Sequence, residues 1–412
     1  MPLSRINTNA IANGAVAVAD LANSGVTAGT YGGSSNISVV TVNAQGLVTS
    51  ASNSALSLNS ITGELTVSGN ISQNGTGFTT LAAGTTAQRP SSTANGQSRV
   101  NTTSGNLEYF HNGGWRSLVS QYTVNYLVVA GGGSGGGYYY AGGGGAGGLI
   151  SGSATVVSGT QYSITVGAGG SQTTGPAGGN AGNPSIFALG TTVTALAGGR
   201  GGTGNDTTAS PAMNGGSGGG SASGYPVGSG TPGQGNNGGI SGGAPNQFSA
   251  GGGGGAGAVG SNAPVTPNVG NGGAGGVGVV TSLVPSGLAT SLAVGQVSGG
   301  SVYFAGGGGG ATGAIPSGYQ GGAGGTGGGG RGGGYTYPSP GGLGIAGTTN
   351  SGGGGGGGSH NAGTDSGIGR AGGSGIVIIS YVGTQQGSGG ANVFYTGANT
   401  VHTFTSSGTF TA

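Results

Sequence analysis

Residues 352–358 read Gly352-Gly-Gly-Gly-Gly-Gly-Gly358, and a little upstream the chain reads Gly321-Gly-Ala-Gly-Gly-Thr-Gly-Gly-Gly-Gly-Arg-Gly-Gly-Gly334. Related blocks recur at 131–133, 142–148, 215–220, 251–257 and 306–310, separated by stretches that carry aromatic, Pro and Asn residues. A single run of this kind would be a flexible linker. Many runs, spaced irregularly among aromatic residues, read as one folded element visited again and again.

Ordered glycine is entropically costly, so a folded block needs a compensating interaction. Polyproline-II geometry provides one. It has three residues per turn and points every N–H and C=O sideways. Without Cβ atoms, neighbouring helices of this kind approach closely and bond along their whole length. Block 352–358 would span roughly 22 Å at about 3.1 Å per residue. Glycine is obligatory where a helix is surrounded, whereas at the outside one position in three can carry a side chain, as the mixed block 321–334 suggests. Collagen is excluded, because the Gly-X-Y period is not kept and Pro numbers only 14.

Composition agrees. Charged residues are 3 % of the 412, with seven Arg, five acids and no Lys. Disordered chains are usually charge-rich and poor in aromatics, whereas this one has 15 Tyr. The apolar share of 33 % is too low for a large oily core, so backbone bonding, small contacts or subunit association must stabilise the fold. A net charge of +2, without clusters, excludes the phosphate neutralisation that nucleic-acid binding requires. The absence of cysteine excludes disulfides, thiolate zinc sites and iron–sulfur clusters. Residues 1–10 do not read as a secretory signal. No run of about 20 apolar residues suggests membrane insertion. A cytosolic protein and a component of a released particle both fit.

Three segments follow. Residues 1–58 are rich in Asn, Ser, Ala and Val and alternate at 37–42 as a strand does. Residues 59–120 read as short strands and turns. Within them Asn112-Gly113 sits between two strand-like runs, 106–111 and 115–119, the strongest short-range hairpin signal. Trp115, Tyr109 and Phe110 read as hairpin packing, and Glu108 with Arg116 as a cross-strand pair. Residues 121–412 form the glycine-rich segment. Strands are expected at 122–129, 161–166, 185–189, 191–196, 277–283 and 375–382, the last buried on both faces. Residues 401–412 alternate as one half-buried strand.

Several stretches resemble bacteriophage tail fibres. Val26-Thr-Ala-Gly-Thr-Tyr-Gly-Gly33 with 37–52 is one; Gly84-Thr-Thr-Ala-Gln-Arg-Pro90 through Trp115 is another. Tyr126-Leu-Val-Val-Ala-Gly-Gly-Gly133, Tyr162-Ser-Ile-Thr-Val-Gly-Ala-Gly-Gly170 and Gly372-Gly-Ser-Gly-Ile-Val-Ile-Ile-Ser-Tyr381 are similar to the glycine-rich tip of such fibres, in marine-phage fibres and T-even-like tip adhesins. The resemblance implies a mainly β chain with polyglycine-II helices and essentially no α-helix: an elongated, β-rich trimeric shaft and a tip of stacked helices. It implies a virion receptor-binding protein, an adhesin contacting a host-cell glycan or outer-membrane protein. The N-terminal segment would attach to other tail proteins, an adaptor or nozzle. In the marine variant the string resembling 402–411 precedes the Leu-Val-Val-Ala strand, whereas here it closes the chain. Either it pairs beside 122–129 from the other side, or a further repeat is missing. A decorating fibre without receptor contact is the alternative, and a depolymerase the third reading.

No enzyme is expected. GxGxxG strings arise here from composition alone, a P-loop needs Lys, and His111, His360 and His402 lack metal spacing, so neither a cofactor nor a metal is expected. The aromatics at block interruptions are the candidate receptor contacts: Tyr138, Tyr139, Tyr140, Tyr225, Phe248, Tyr319, Tyr335 and Tyr337, together with His360. Tyr supplies rigid amphipathic contact area at low entropy cost; the competing reading is that these rings cover slab edges. The binding segments expected are 138–140, 205–214, 225–248, 261–268, 315–319, 335–340 and 360–365, with alternate connections sharing one end.

Overall fold

A computed structural model describes residues 25–33, 36–44, 46–55, 68, 76–91, 93–118, 121–203, 210–242, 248–265, 270–313, 319–334, 342–359 and 367–412. It divides into two compact units, Met1–Thr80 and Leu81–Ala412. In the first, β1 (Asn36–Val42) and β2 (Val48–Ala55) form an antiparallel hairpin. Both its faces are exposed, Ile37, Val39, Val40 and Val42 included.

The second unit begins with a four-stranded module: β3 (Ala83–Gly84), β4 (Ser98–Asn101), β5 (Asn106–His111) and β6 (Gly114–Leu118). The expected Asn-Gly turn is present, with φ of 47° at Asn112 and 77° at Gly113, the left-handed pair a two-residue hairpin requires. Phe110 and Trp115 face each other across it, ring centroids 5.6 Å apart. Glu108, however, does not pair with Arg116. The register sets Arg116 opposite Tyr109, so the two charges point to opposite faces. Glu108 is instead fully buried, bonded by Arg89 Nη2 at 2.6 Å and Asn101 Nδ2 at 3.0 Å, with Arg99 Nε at 3.3 Å. The Arg89 bond, then Asn101 and the charge of Arg99, hold its carboxyl below the usual range against the opposing effect of burial.

The remaining strands make a three-layer base. The central sheet runs β16 (Asn392–Thr396), β17 (Asn399–Phe404), β15 (Ile376–Val382), β7 (Gln121–Val129), β8 (Leu149–Val157). Alternate residues of β7 and β15 serve opposite faces. Val124, Val128, Val377, Ile379 and Tyr381 pack on a sheet of β11 (Val193–Ala195), β10 (Ser185–Phe187), β9 (Gln161–Thr165) and β18 (Gly408–Thr411), which contributes Tyr162, Ile164, Phe187 and Phe410. Leu127, Val129, Ile376 and Ile378 pack on β12 (Val279–Thr281), β14 (Ser301–Phe304), β13 (Gln296–Ser298) and helix α1 (Ser286–Leu292), which is the single α-helix among the described residues. Residues 376–381 are thus buried on both faces, as their unbroken apolar sequence requires.

The terminal stretch differs from its reading as one strand. It bends at 405–407 and supplies β17 and β18 to two different sheets. Nor does it lie beside β7, whose two edges are taken by β15 and β8; β17 pairs with β15 and is buried almost throughout. The Ala412 N–H donates to the Thr160 carbonyl at 3.0 Å, next to Val157, the partner of Gln121 at the start of β7.

His402 fastens this closure. Tyr381 Oη accepts N–H bonds from Gln386 (3.1 Å) and Gly387 (3.0 Å), which fill its lone pairs. Its proton therefore goes to His402 Nε2, 2.9 Å away, and His402 Nδ1–H donates to the Gly389 carbonyl at 2.7 Å. The ring is neutral, and burial lowers its pKa against the opposing effect of the Gly389 bond.

From this base the chain runs out into glycine. β7, β9, β11 and β14 continue directly into segments 130–137, 166–173, 197–203 and 305–313, and segments 141–148, 177–183, 270–278 and 367–375 lead back into β8, β10, β12 and β15. Segment 352–358 shows the packing. N–H groups 354 and 357 donate to carbonyls 306 and 309, those of 355 and 358 to 133 and 136, and that of 356 to 345. Carbonyls 352, 355 and 358 accept from 147, 144 and 141; 353 and 356 accept from 373 and 370; 354 and 357 accept from 330 and 333. Partners recur every third residue and six neighbours surround one segment. This is a polyglycine-II lattice. Segments 141–148, 249–257 and 305–313 are enclosed in the same way.

At the periphery the period-three side chains appear: Asn271, Ala274 and Val277 on one segment, Gln320, Ala323 and Thr326 on another. The glycines that open the mixed block are as crowded as those of the pure ones, since a Cβ on Gly321 would overlap the Gly332 carbonyl, as one on Gly355 would overlap that of Arg370. Only the third positions are open, and they already carry side chains.

Two outcomes follow. Gly355→Val should abolish or severely reduce folding, well beyond the roughly 1–3 kcal/mol of ordinary overpacking. Ala323→Val, at an exposed position, and Gly190→Val, where a Cβ meets nothing within 4 Å, should each stay within about 0.5 kcal/mol of the native protein in denaturant melts. Acid should loosen the closing strands. The unfolded chain protonates His402 near its ordinary pKa of about 6.5 while the folded one resists, so stability is complete above that pH and lost as pH falls below it. Melting temperature between pH 8 and pH 5 should fall, and fall less in His402→Gln.

Candidate functional site at the free end of the slab

Every outgoing segment must return, and the returns opposite the strand base lie at one end. Described connections there are 138–140, 174–176 and 223–225. Connections 204–209, 243–247, 266–269, 314–318, 335–341 and 360–366 lie outside the described residues. Their flanking segment ends meet at that same end: Thr203 N–H donates to Ser210, Gly242 to Ser249, Gly313 to Phe248, Gly334 to Gly342 and Gly367 to Ser359. The expected sharing of one end by alternate connections is thus present. Within the expected segments, however, 210–214 is a returning stretch antiparallel to 197–203, and 225–248 contains two lattice segments with a base-side turn at 231–233.

Lattice segments lose neighbours where they end, and buried hydroxyls replace them. Thr203 Oγ1 donates to the Gly137 carbonyl (3.0 Å), Ser249 Oγ to Gly270 (2.8 Å) and Ser359 Oγ to Thr312 (2.9 Å), all three side chains buried. In sequence each of these is a lone Ser or Thr at the edge of a glycine block, a pattern that repeats from block to block.

Above this layer sits an aromatic ladder. Rings of Tyr138 and Tyr139 lie 4.3 Å apart at 85°, Tyr139 and Tyr140 6.3 Å apart, and Tyr140 meets Phe248 edge-on at 5.4 Å. Residues 108 apart in sequence are brought together. Tyr140 is 8 % exposed and serves packing, whereas Tyr139 is 39 % exposed. The Tyr138 phenol is raised above its ordinary pKa, first by its hydrogen bond with Tyr139 and then by burial. Tyr138 also holds φ at +73°, a left-handed conformation that is an outlier for a bulky residue and costs on the order of 1–3 kcal/mol. Its N–H donates to the carbonyl of Gly367 at 2.7 Å, itself left-handed at +82°.

Tyr225 lies in the 223–225 turn and Tyr319 opens segment 319–326, both half-buried and, among the described residues, without ring contact to the ladder. Tyr335, Tyr337 and His360 lie outside the described residues. Described side chains at this end include phenols, a phenyl and hydroxyls, with Val265, Asn271 and Gln320 beside the undescribed connections. Among the described residues no group of three His, Cys, Asp or Glu could hold a metal ion, and no helix is long and apolar enough to cross a membrane.

A family model described as glycine-rich domain matches residues 115–382, from within β6 to the end of β15. The chain belongs to the glycine-rich domain family. Neither a curated protein nor a solved structure matches it. The matched span holds the whole lattice, while the closing strands β16 to β18 lie beyond it.

Proposed function

We propose that this glycine-rich chain is the adhesin of a bacteriophage tail fibre, binding a host-cell surface receptor through the loops at the free end of its lattice. One observation carries the reading: the glycine lattice is anchored at one end by a closed strand base, and segment ends that flank many of its connections come together at the other. Loops over a fixed scaffold can change without disturbing the bonding beneath, which is where binding function tends to be placed. The resemblance of 26–52 and 84–115 to fibre modules supports the virion setting. In this reading the protein binds and does not catalyse, and the N-terminal segment joins it to other tail proteins.

The β1–β2 hairpin supports a homotrimer. A lone two-stranded hairpin is at best marginal in water, and this one exposes apolar residues on both faces. Three chains about an axis would cover them.

Fluorescently labelled full-length protein, shown by sedimentation to be a trimer, should label host cells saturably and reduce phage adsorption in proportion to occupancy. Trimers that decorate particles without labelling any cell would favour the structural fibre. Release of soluble oligosaccharide from host envelope would favour a depolymerase. A stable folded monomer would remove the trimeric shaft.

A further inference from the structure

We propose that Tyr138 and Tyr139 form a stacking platform for a pyranose ring of an uncharged surface glycan; this rests on the receptor-binding reading. The first ground is conformational. Position 138 is left-handed, at φ +73°, in a chain where glycine precedes it at 135, 136 and 137. Glycine would take that turn without strain. In so glycine-rich a chain, a tyrosine held there against backbone preference is retained for its ring.

The second ground is how the ring is held. Tyr138 and Tyr139 stand almost perpendicular, 4.3 Å apart, while Tyr140 and Phe248 brace the ladder from below. The pair makes a corner rather than a flat patch. A sugar fits such a corner: its C–H face lies on one ring, and its hydroxyls reach the phenol of the other and nearby backbone groups. Because the rings are fixed before contact, little freedom is lost on binding.

The third ground is charge. Among the described residues of this end none is charged. Arg200, Arg331 and Arg370 each stand three residues, one turn, inward from the segment ends at 203, 334 and 367. An anionic sugar would need cations at the surface of contact, whereas an uncharged one needs only stacking and neutral hydrogen bonds.

The test uses cells that the native protein labels, treated either with mild periodate, which cleaves vicinal diols of sugars, or with a broad protease. Native labelling should fall at least tenfold after periodate and survive protease. Tyr138→Gly and Tyr139→Ala should lose at least tenfold in labelling, Tyr139→Phe should retain most of it, and Tyr138→Gly should melt no lower than the native protein. Loss after protease alone would assign a protein receptor and overturn the glycan. Undiminished labelling by Tyr138→Gly and Tyr139→Ala would overturn the platform while leaving receptor binding intact. Reduced melting of Tyr138→Gly would make the ring a structural support and overturn the proposal as well. Native protein that labels no cell would sink the receptor reading itself.

Discussion

Neighbouring backbones in this molecule bond at a separation that leaves no space for a Cβ. A side chain at Gly132, Gly143, Gly253, Gly308 or Gly355 would strike a carbonyl of the adjacent segment. Glycine is therefore demanded here by contact rather than by flexibility. Ordering one residue costs roughly 1–2 kcal/mol of backbone entropy, and one backbone hydrogen bond returns a net of only about 0.5–1.5 kcal/mol. A single helix of this kind cannot hold. Only a segment enclosed by neighbours pairs all of its N–H and C=O groups, and since even that is one bond per residue, close packing and the apolar burial of the strand base must add to it.

That requirement explains the strand base. Segments without side chains have nothing to fix their sliding relative to one another. β7, β8, β9, β10, β11, β12, β14 and β15 enter or leave the lattice directly, and their registers are set by apolar faces that tolerate no slip. The base supplies apolar burial and alignment, and the lattice carries that alignment outward to the loops. Hydroxyls at 203, 249 and 359 then close the end where neighbours run out.

Much of this was legible in the chain. Glycine blocks with side chains every third residue, as at 271, 274 and 277, announced a three-fold helix packed on one side and open on the other. Residues 376–382 announced a strand buried twice over. What the sequence hid was long-range. The stretch 401–412 reads as one alternating strand, and Ser406-Ser407-Gly408 within it is the one local sign that its halves serve different layers. Glu108 and Arg116 look like partners until register puts them on opposite faces. At the free end, the tyrosines were visible as interruptions, but that Tyr140 is packing and Tyr139 is surface depends on Phe248 arriving from far along the chain. Positive φ at Tyr138 has no sequence signature at all.

Hydrogen–deuterium exchange of the glycine amides tests the lattice most directly. The amides of 354–358 and of 142–146 should be protected to the same degree as those of β7 and β15, and should exchange only with global opening. Exchange of these blocks within seconds, while the strands stay protected, would make them linkers and contradict the account.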